Sequence, residues 1–196
     1  MFKEVDMSIC IFPGTFNPIH NGHLKMADYV LKKYRFEKVI FIPAYIPPHK
    51  ELATSLANHR FNMVKLATLM NPKIEVSDFE YMNENKSYTI YTIKHFIEEY
   101  KIYGKINMII GTDAFSKLDT WYKSDEIKNL VHFIVFPRIG DNVEEIVDKY
   151  RNLGWDFEIT DTEYINISST DVRTKSLRGI DKKIKDYITK NELYKA

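Results

Sequence analysis

Gly14-Thr15-Phe16-Asn17-Pro18-Ile19-His20-Asn21-Gly22-His23 is the stretch of the chain densest in residues that could do chemistry. Gly14 and Gly22 let backbone come close to a ligand. His20 and His23 stand three residues apart. Downstream, Leu24, Ala27, Leu31 and Tyr34 recur at helical spacing, so the stretch joins a buried strand (8–12) to a helix. A helix start offers unpaired N–H groups and the positive end of its dipole to whatever sits in the loop. Two imidazoles placed there can donate hydrogen bonds to phosphate oxygens. Two neighbouring histidines alone are more often part of a plain turn, but here strand end, glycines and helix start coincide. A zinc site lacks further ligands at metal spacing, because the one cysteine, Cys10, lies inside the strand.

A second constellation is Ile167-Ser168-Ser169-Thr170-Asp171-Val172-Arg173. Three successive hydroxyls suit a helix start. Arg173 in the first turn could fork onto a phosphate, although a capped surface helix would use the same residues. The chain has no Walker lysine motif and no G-x-G-x-x-G, which excludes a P-loop NTPase and an ordinary dinucleotide-binding domain.

The elements that must position these residues alternate. Apolar runs at 8–12, 39–42, 74–76, 108–110, 131–136 and 157–159 read as strands. Between them lie amphipathic segments carrying Met63, Leu66, Ala67 and Met70; Ile90, Ile93, Ile97 and Tyr100; and Val143, Ile146, Val147 and Tyr150. A Pro-rich loop covers 44–57. Asp141 with Glu144 is expected to cap the helix near 143, and Asp181 a last helix with Ile184, Tyr187 and Ile188. Strands apolar throughout and separated by helices predict an α/β fold, a Rossmann-like doubly wound parallel sheet. Such sheets bind ligands at the carboxyl ends of their strands. That puts 14–23, 46–50, 111–113 and Arg138 on one edge.

With 196 residues, 44% of them hydrophobic, the expectation is one domain over 1–196, with a helical C-terminal part from about 166. Lys+Arg number 28 and Asp+Glu 27, so no net basic field recruits nucleic acid. No apolar stretch approaches a membrane span and the N-terminus carries Glu4 and Asp6, unlike a signal peptide. A reduced cytoplasm is the expected compartment, and homo-oligomerisation is left open.

The two motifs together resemble the nucleotidyltransferase superfamily with the H-x-G-H signature. Within it the chain is similar to the bacterial nicotinate-nucleotide adenylyltransferases, from the first strand to Leu193-Tyr194. H-x-G-H is shared with class I aminoacyl-tRNA synthetases, whose tRNA-binding modules 196 residues cannot hold. The narrower signals are Pro47-Pro48-His49-Lys50, Arg60 with Met63, Ser87-Tyr88-Thr89, Gly111-Thr112-Asp113, Trp121-Tyr122 and the Ser-Ser-Thr run. The resemblance implies ATP and nicotinate mononucleotide as substrates, with the dinucleotide and pyrophosphate as products. It implies His20, His23 and Arg173 as catalytic residues on the phosphates. It implies Gly14, Thr15, Phe16, Gly111, Asp113, Ile167, Ser168, Ser169 and Thr170 around ATP. It implies His49, Lys50, Thr89, Trp121 and Arg138 around the mononucleotide. Without the resemblance, Trp121 reads as a core anchor, Thr89 as a helix cap, and His49, Lys50 and Arg138 as surface groups.

The implied nucleophile is a phosphate oxygen, ionised near neutral pH, so no general base is needed. Rate then comes from bringing two polyanions together in line and offsetting their charge. Mg2+ bound with ATP would share that work while keeping several waters, so no carboxylate cage is expected. The family usually reads Gly-Gly-Thr-Phe-Asp-Pro where this chain has Pro13 and Asn17. Pro13 removes a donor N–H, and Asn17 replaces a carboxylate by an amide. Two alternatives remain: a related transferase acting on nicotinamide mononucleotide or phosphopantetheine, and a catalytically weak nucleotide-binding regulator.

Overall fold

Strands β1 (Ile9–Gly14), β2 (Lys38–Pro43), β3 (Ile74–Val76), β4 (Ile106–Gly111), β5 (Val131–Phe136) and β6 (Phe157–Ile159) pair in parallel as one sheet of order β3-β2-β1-β4-β5-β6. This is the expected doubly wound α/β fold. The computed structural model describes residues 8–48, 54–82, 86–138, 140–162, 167–174 and 177–194.

Alternate strand residues feed two cores. Cys10, Phe12, Val39 and Phe41 meet Ala27 and Val30 of α1 (Asn21–Lys33), Met63 and Val64 of α2 (Ser55–Thr68), and, after α7 (Ser169–Thr174), Ile184 and Ile188 of α8 (Lys182–Lys190). Ile9, Ile11, Ile40 and Ile42 meet Ile90 and Phe96 of α3 (Thr89–Glu99), Phe115 of α4 (Thr112–Phe115), Ile127 of α5 (Ser124–Leu130) and Tyr150 of α6 (Val143–Asn152). Because both faces are covered, the strands read as apolar runs rather than as alternating ones.

β1 stays in register with β2 out to Gly14 opposite Pro43, whereas its pairing with β4 covers only Cys10 and Ile11. Beyond Ile11 the sheet opens, where the winding direction reverses and ligands enter such folds.

Two expectations are corrected. The loop after β2 ends sooner, since α2 starts at Ser55. The helix near 143 is capped by Asn142, whose side chain accepts from the Glu145 N–H, and not by Asp141. Asp141 instead accepts from the hydroxyl of Thr112, a fully buried residue whose Oγ1 also takes the Arg138 N–H at 3.1 Å. A buried hydroxyl needs an acceptor more than an exposed helix end does. α5 escapes the sequence pattern because Ile127 is its one buried residue.

Candidate active site

A cavity of about 950 Å³ fills the opening at the carboxyl ends of β1, β4 and β5. Its wall holds Gly14, Thr15, Phe16, His20, His23, Thr89, Gly111, Asp113, Trp121, Arg138, Ile167, Ser168, Ser169, Thr170 and Arg173. Every candidate residue that the structure describes is thus brought to one place. His49 and Lys50 lie outside the described residues.

The loop after β1 is shaped by Phe16. Its backbone takes a left-handed φ of 46° and its ring is buried, meeting Phe12 at 5.5 Å and His23 at 5.0 Å between centroids. The ring lies over Gly14, where a Cβ would come within 2.8 Å of it. Glycine is required there by that close approach.

His20 is the N-cap of α1 and only 4% exposed, and among the described residues neither ring nitrogen has a hydrogen-bond partner. Burial, with the Arg138 charge second, holds its imidazole down at about 4, so the free protein carries it neutral. A neutral imidazole still donates one N–H. His23 stacks on it with centroids 3.7 Å apart, and His23 Nδ1 accepts the His20 backbone N–H at 3.2 Å. That bond places the His23 proton on Nε2.

The second motif reaches across to the first. Arg173 donates to the Asn17 carbonyl and to Thr170 Oγ1, and Ser169 donates to the Pro18 carbonyl at 3.0 Å. Ser168 and Asp171 cap each other, the Asp171 N–H donating to Ser168 Oγ at 3.0 Å. From the far end of the chain, the Tyr194 hydroxyl donates to Asn17 Oδ1 at 2.6 Å, and burial pushes that phenol up to about 12. Asn17 is therefore held through both its side chain and its carbonyl.

Asp113 and Arg138, which the resemblance divides between two substrates, pair across the ends of β4 and β5 at 3.2 Å. A Cβ on Gly111 would lie 2.8 Å from Asp113 Oδ1. Thr89 opens α3, but Tyr88 holds the N-cap position, which removes the capping reading of Thr89. Trp121 packs partly into the core while its remaining surface lines the cavity. Tyr88 and Tyr122 stand beside it, 4.7 Å apart.

The sequence reading missed Lys25 and Lys117, two further cations on the cavity wall. Lys25 follows His23 by two residues on α1, a spacing off the helical period, so no pattern in the sequence flagged it. It also gave Arg60 no role, although Ala57, Arg60, Met63 and Val64 all sit on the buried side of α2. Among the described residues no three His, Cys, Asp or Glu side chains are grouped to hold a metal ion. No helix among them is long and apolar enough to cross a membrane.

Residues 11–175 match the cytidylyltransferase-like family. The chain belongs to that family. Among its curated relatives, a probable nicotinate-nucleotide adenylyltransferase of Caldicellulosiruptor saccharolyticus is 40% identical over 96% of this chain and 100% of its own length. One of Fusobacterium nucleatum is 42% identical over 94% of this chain and 98% of its own. The Plasmodium falciparum nicotinic acid mononucleotide adenylyltransferase complexed with NaAD superposes with a TM-score of 0.79 over 95% of this chain and 96% of that one. At 22% identity that likeness speaks for the fold, which this member of the cytidylyltransferase-like family shares along nearly its whole length.

Proposed function

We propose that the protein transfers the adenylyl group of ATP to nicotinate mononucleotide, forming nicotinate adenine dinucleotide and pyrophosphate in NAD biosynthesis. Full-length relatives at about 40% identity support the reaction class. The observation that carries it within the cavity is the buried His20 imidazole at the start of α1, neither of whose ring nitrogens has a hydrogen-bond partner among the described residues. A buried polar ring with no protein partner calls for an oxygen-rich ligand.

In this reading a phosphate oxygen of the mononucleotide attacks the α-phosphorus of ATP. The bond to the bridging oxygen breaks and pyrophosphate leaves with its electron pair. His20 and His23 donate N–H bonds to the phosphates, and Arg173, Lys25 and Lys117 lower the cost of joining two polyanions. Asp113 receives the ribose hydroxyls, while Gly14, Thr15, Gly111, Ile167, Ser168, Ser169 and Thr170 shape the ATP side. Thr89, Trp121 and Arg138 serve the nicotinate ring and its phosphate, with the segment at His49 and Lys50 completing that side. Magnesium enters as part of the substrate, bound to the triphosphate. The buried Cys10, whose thiol burial pushes well above its ordinary range, fits a reduced cytoplasm.

The test follows the atoms. With ATP labelled at the α-phosphorus and nicotinate mononucleotide as acceptor, the label should appear in the dinucleotide, with one pyrophosphate released per product. Label retained in ATP, or released as AMP, would refute the reaction.

A further inference from the structure

The buried side chains of Arg60 and Glu80 take no part in the chemistry above, yet they hold the loops that carry it. Arg60, on α2, is fully buried. Its Nη1 donates to the Thr15 carbonyl at 2.9 Å and to the Ala44 carbonyl, and its Nη2 to the Tyr45 carbonyl at 2.9 Å. No carboxylate pairs with it among the described residues; backbone carbonyls from two separate loops solvate the guanidinium. The same loops are joined by the Ala44 N–H donating to the Gly14 carbonyl at 2.9 Å.

Glu80 lies on the cavity wall, 8% exposed, accepting from the Thr92 hydroxyl at 2.6 Å. Burial pushes its carboxyl up, and the Ser87 and Thr92 hydroxyls with the Arg60 charge pull it back. Ser87 in turn accepts the N–H groups of Tyr45 at 2.9 Å and Ile46 at 3.3 Å. The Tyr45–Ile46 segment is thus gripped at a carbonyl by Arg60 and at its N–H groups by a hydroxyl beside Glu80. Pro47 and Pro48 follow it directly on the cavity wall, and Thr89 follows Ser87 by two residues.

From this geometry we infer that Arg60 and Glu80 are positioning residues. Arg60 sets the ATP-side loop against the acceptor-side loop, and Glu80 sets the acceptor side alone. The fork of a guanidinium is what spans both loops; an ammonium at the same depth cannot donate in the same fixed directions. The assignment of sides rests on the proposed function. The asymmetry between the two residues does not, because it can be read without substrate.

Arg60→Lys and Glu80→Gln are compared with the wild type by amide hydrogen exchange in the ligand-free protein and by steady-state kinetics. Arg60→Lys should speed exchange about tenfold in both 14–17 and 44–46, as expected when a net-stabilising bond is lost at each, and raise KM for both substrates. Glu80→Gln should speed exchange in 44–46 and 86–89 while leaving 14–17 unchanged. It should raise KM for the mononucleotide several-fold and leave that for ATP within about twofold. Unchanged exchange in these segments, acceleration spread evenly over the sheet, or equal shifts in both KM values with Glu80→Gln would overturn the inference. If Arg60→Lys does not fold, the one-sided effect of Glu80→Gln still decides. A wild type that releases no pyrophosphate would count against the proposed function, and the exchange pattern would still judge the positioning.

Discussion

His20 and His23 were legible in the sequence as a pair; their different states were not. The spacing says that two imidazoles share a helix start. Only the structure shows one buried with no hydrogen-bond partner among the described residues and the other tied by its Nδ1 to the backbone. His20 should therefore titrate near 4 in the free protein, against an ordinary 6.5, as followed by its imidazole NMR signals. A midpoint at the ordinary value would mean that the ring is solvated. The linkage has a definite sign. Between 6.5 and 4 the unfolded chain binds a proton that the folded chain refuses, so His20 costs stability as pH falls through that window and costs none above it. Melting temperature against pH should fall less steeply below 6.5 in His20→Asn than in the wild type. For the reaction, His23→Ala should lose ~10²–10³ in turnover while remaining folded, the usual loss when one donor to developing charge is removed. Full turnover in a folded variant would remove His23 from the phosphate site. Arg173→Lys should raise KM for ATP or lower kcat, since an ammonium cannot span Asn17 and Thr170 as the guanidinium does.

At the scale of elements, the parallel strands and the long helices were readable because burial on both faces leaves an uninterrupted apolar run, and amphipathic burial leaves a stripe. What could not be read is where a local rule yields to a tertiary demand. Asp141 followed by Glu144 has the form of a cap, yet the Thr112 hydroxyl takes the Asp141 carboxylate and leaves the capping to Asn142. The loop after β4 carries a sharper consequence. Gly111 has an extended backbone with φ of −85°, so any residue could adopt its conformation, and the constraint there is steric. Gly111→Ala should displace the Asp113 carboxylate and open its pair with Arg138. Melting temperature should barely change, because a pair this exposed contributes little. KM for ATP should rise, and an unchanged KM would show that Asp113 does not depend on its present place.

At the scale of the whole molecule, the cavity is built from segments far apart in the chain. Tyr194 meets Asn17, and Ser169 meets Pro18. The sequence suggested both motifs and the edge of the sheet that carries the first of them. It could not show the C-terminal segment braced against the first loop, since contacts at such separation leave no local pattern. Nor could residue types alone reveal that a buried arginine joins the two sides. On the proposed function, substrate choice belongs to the acceptor side. Nicotinate carries a carboxylate where nicotinamide carries an amide, and a site offering only donors suits the carboxylate and opposes the amide NH₂. On the same reading Trp121 stacks on either ring, so Trp121→Ala should weaken both acceptors alike. The most direct measurement is the ratio of kcat/KM for nicotinate mononucleotide to that for nicotinamide mononucleotide, read as pyrophosphate release with ATP. The account predicts a ratio far above one; a ratio near one, or one favouring the amide, would contradict it.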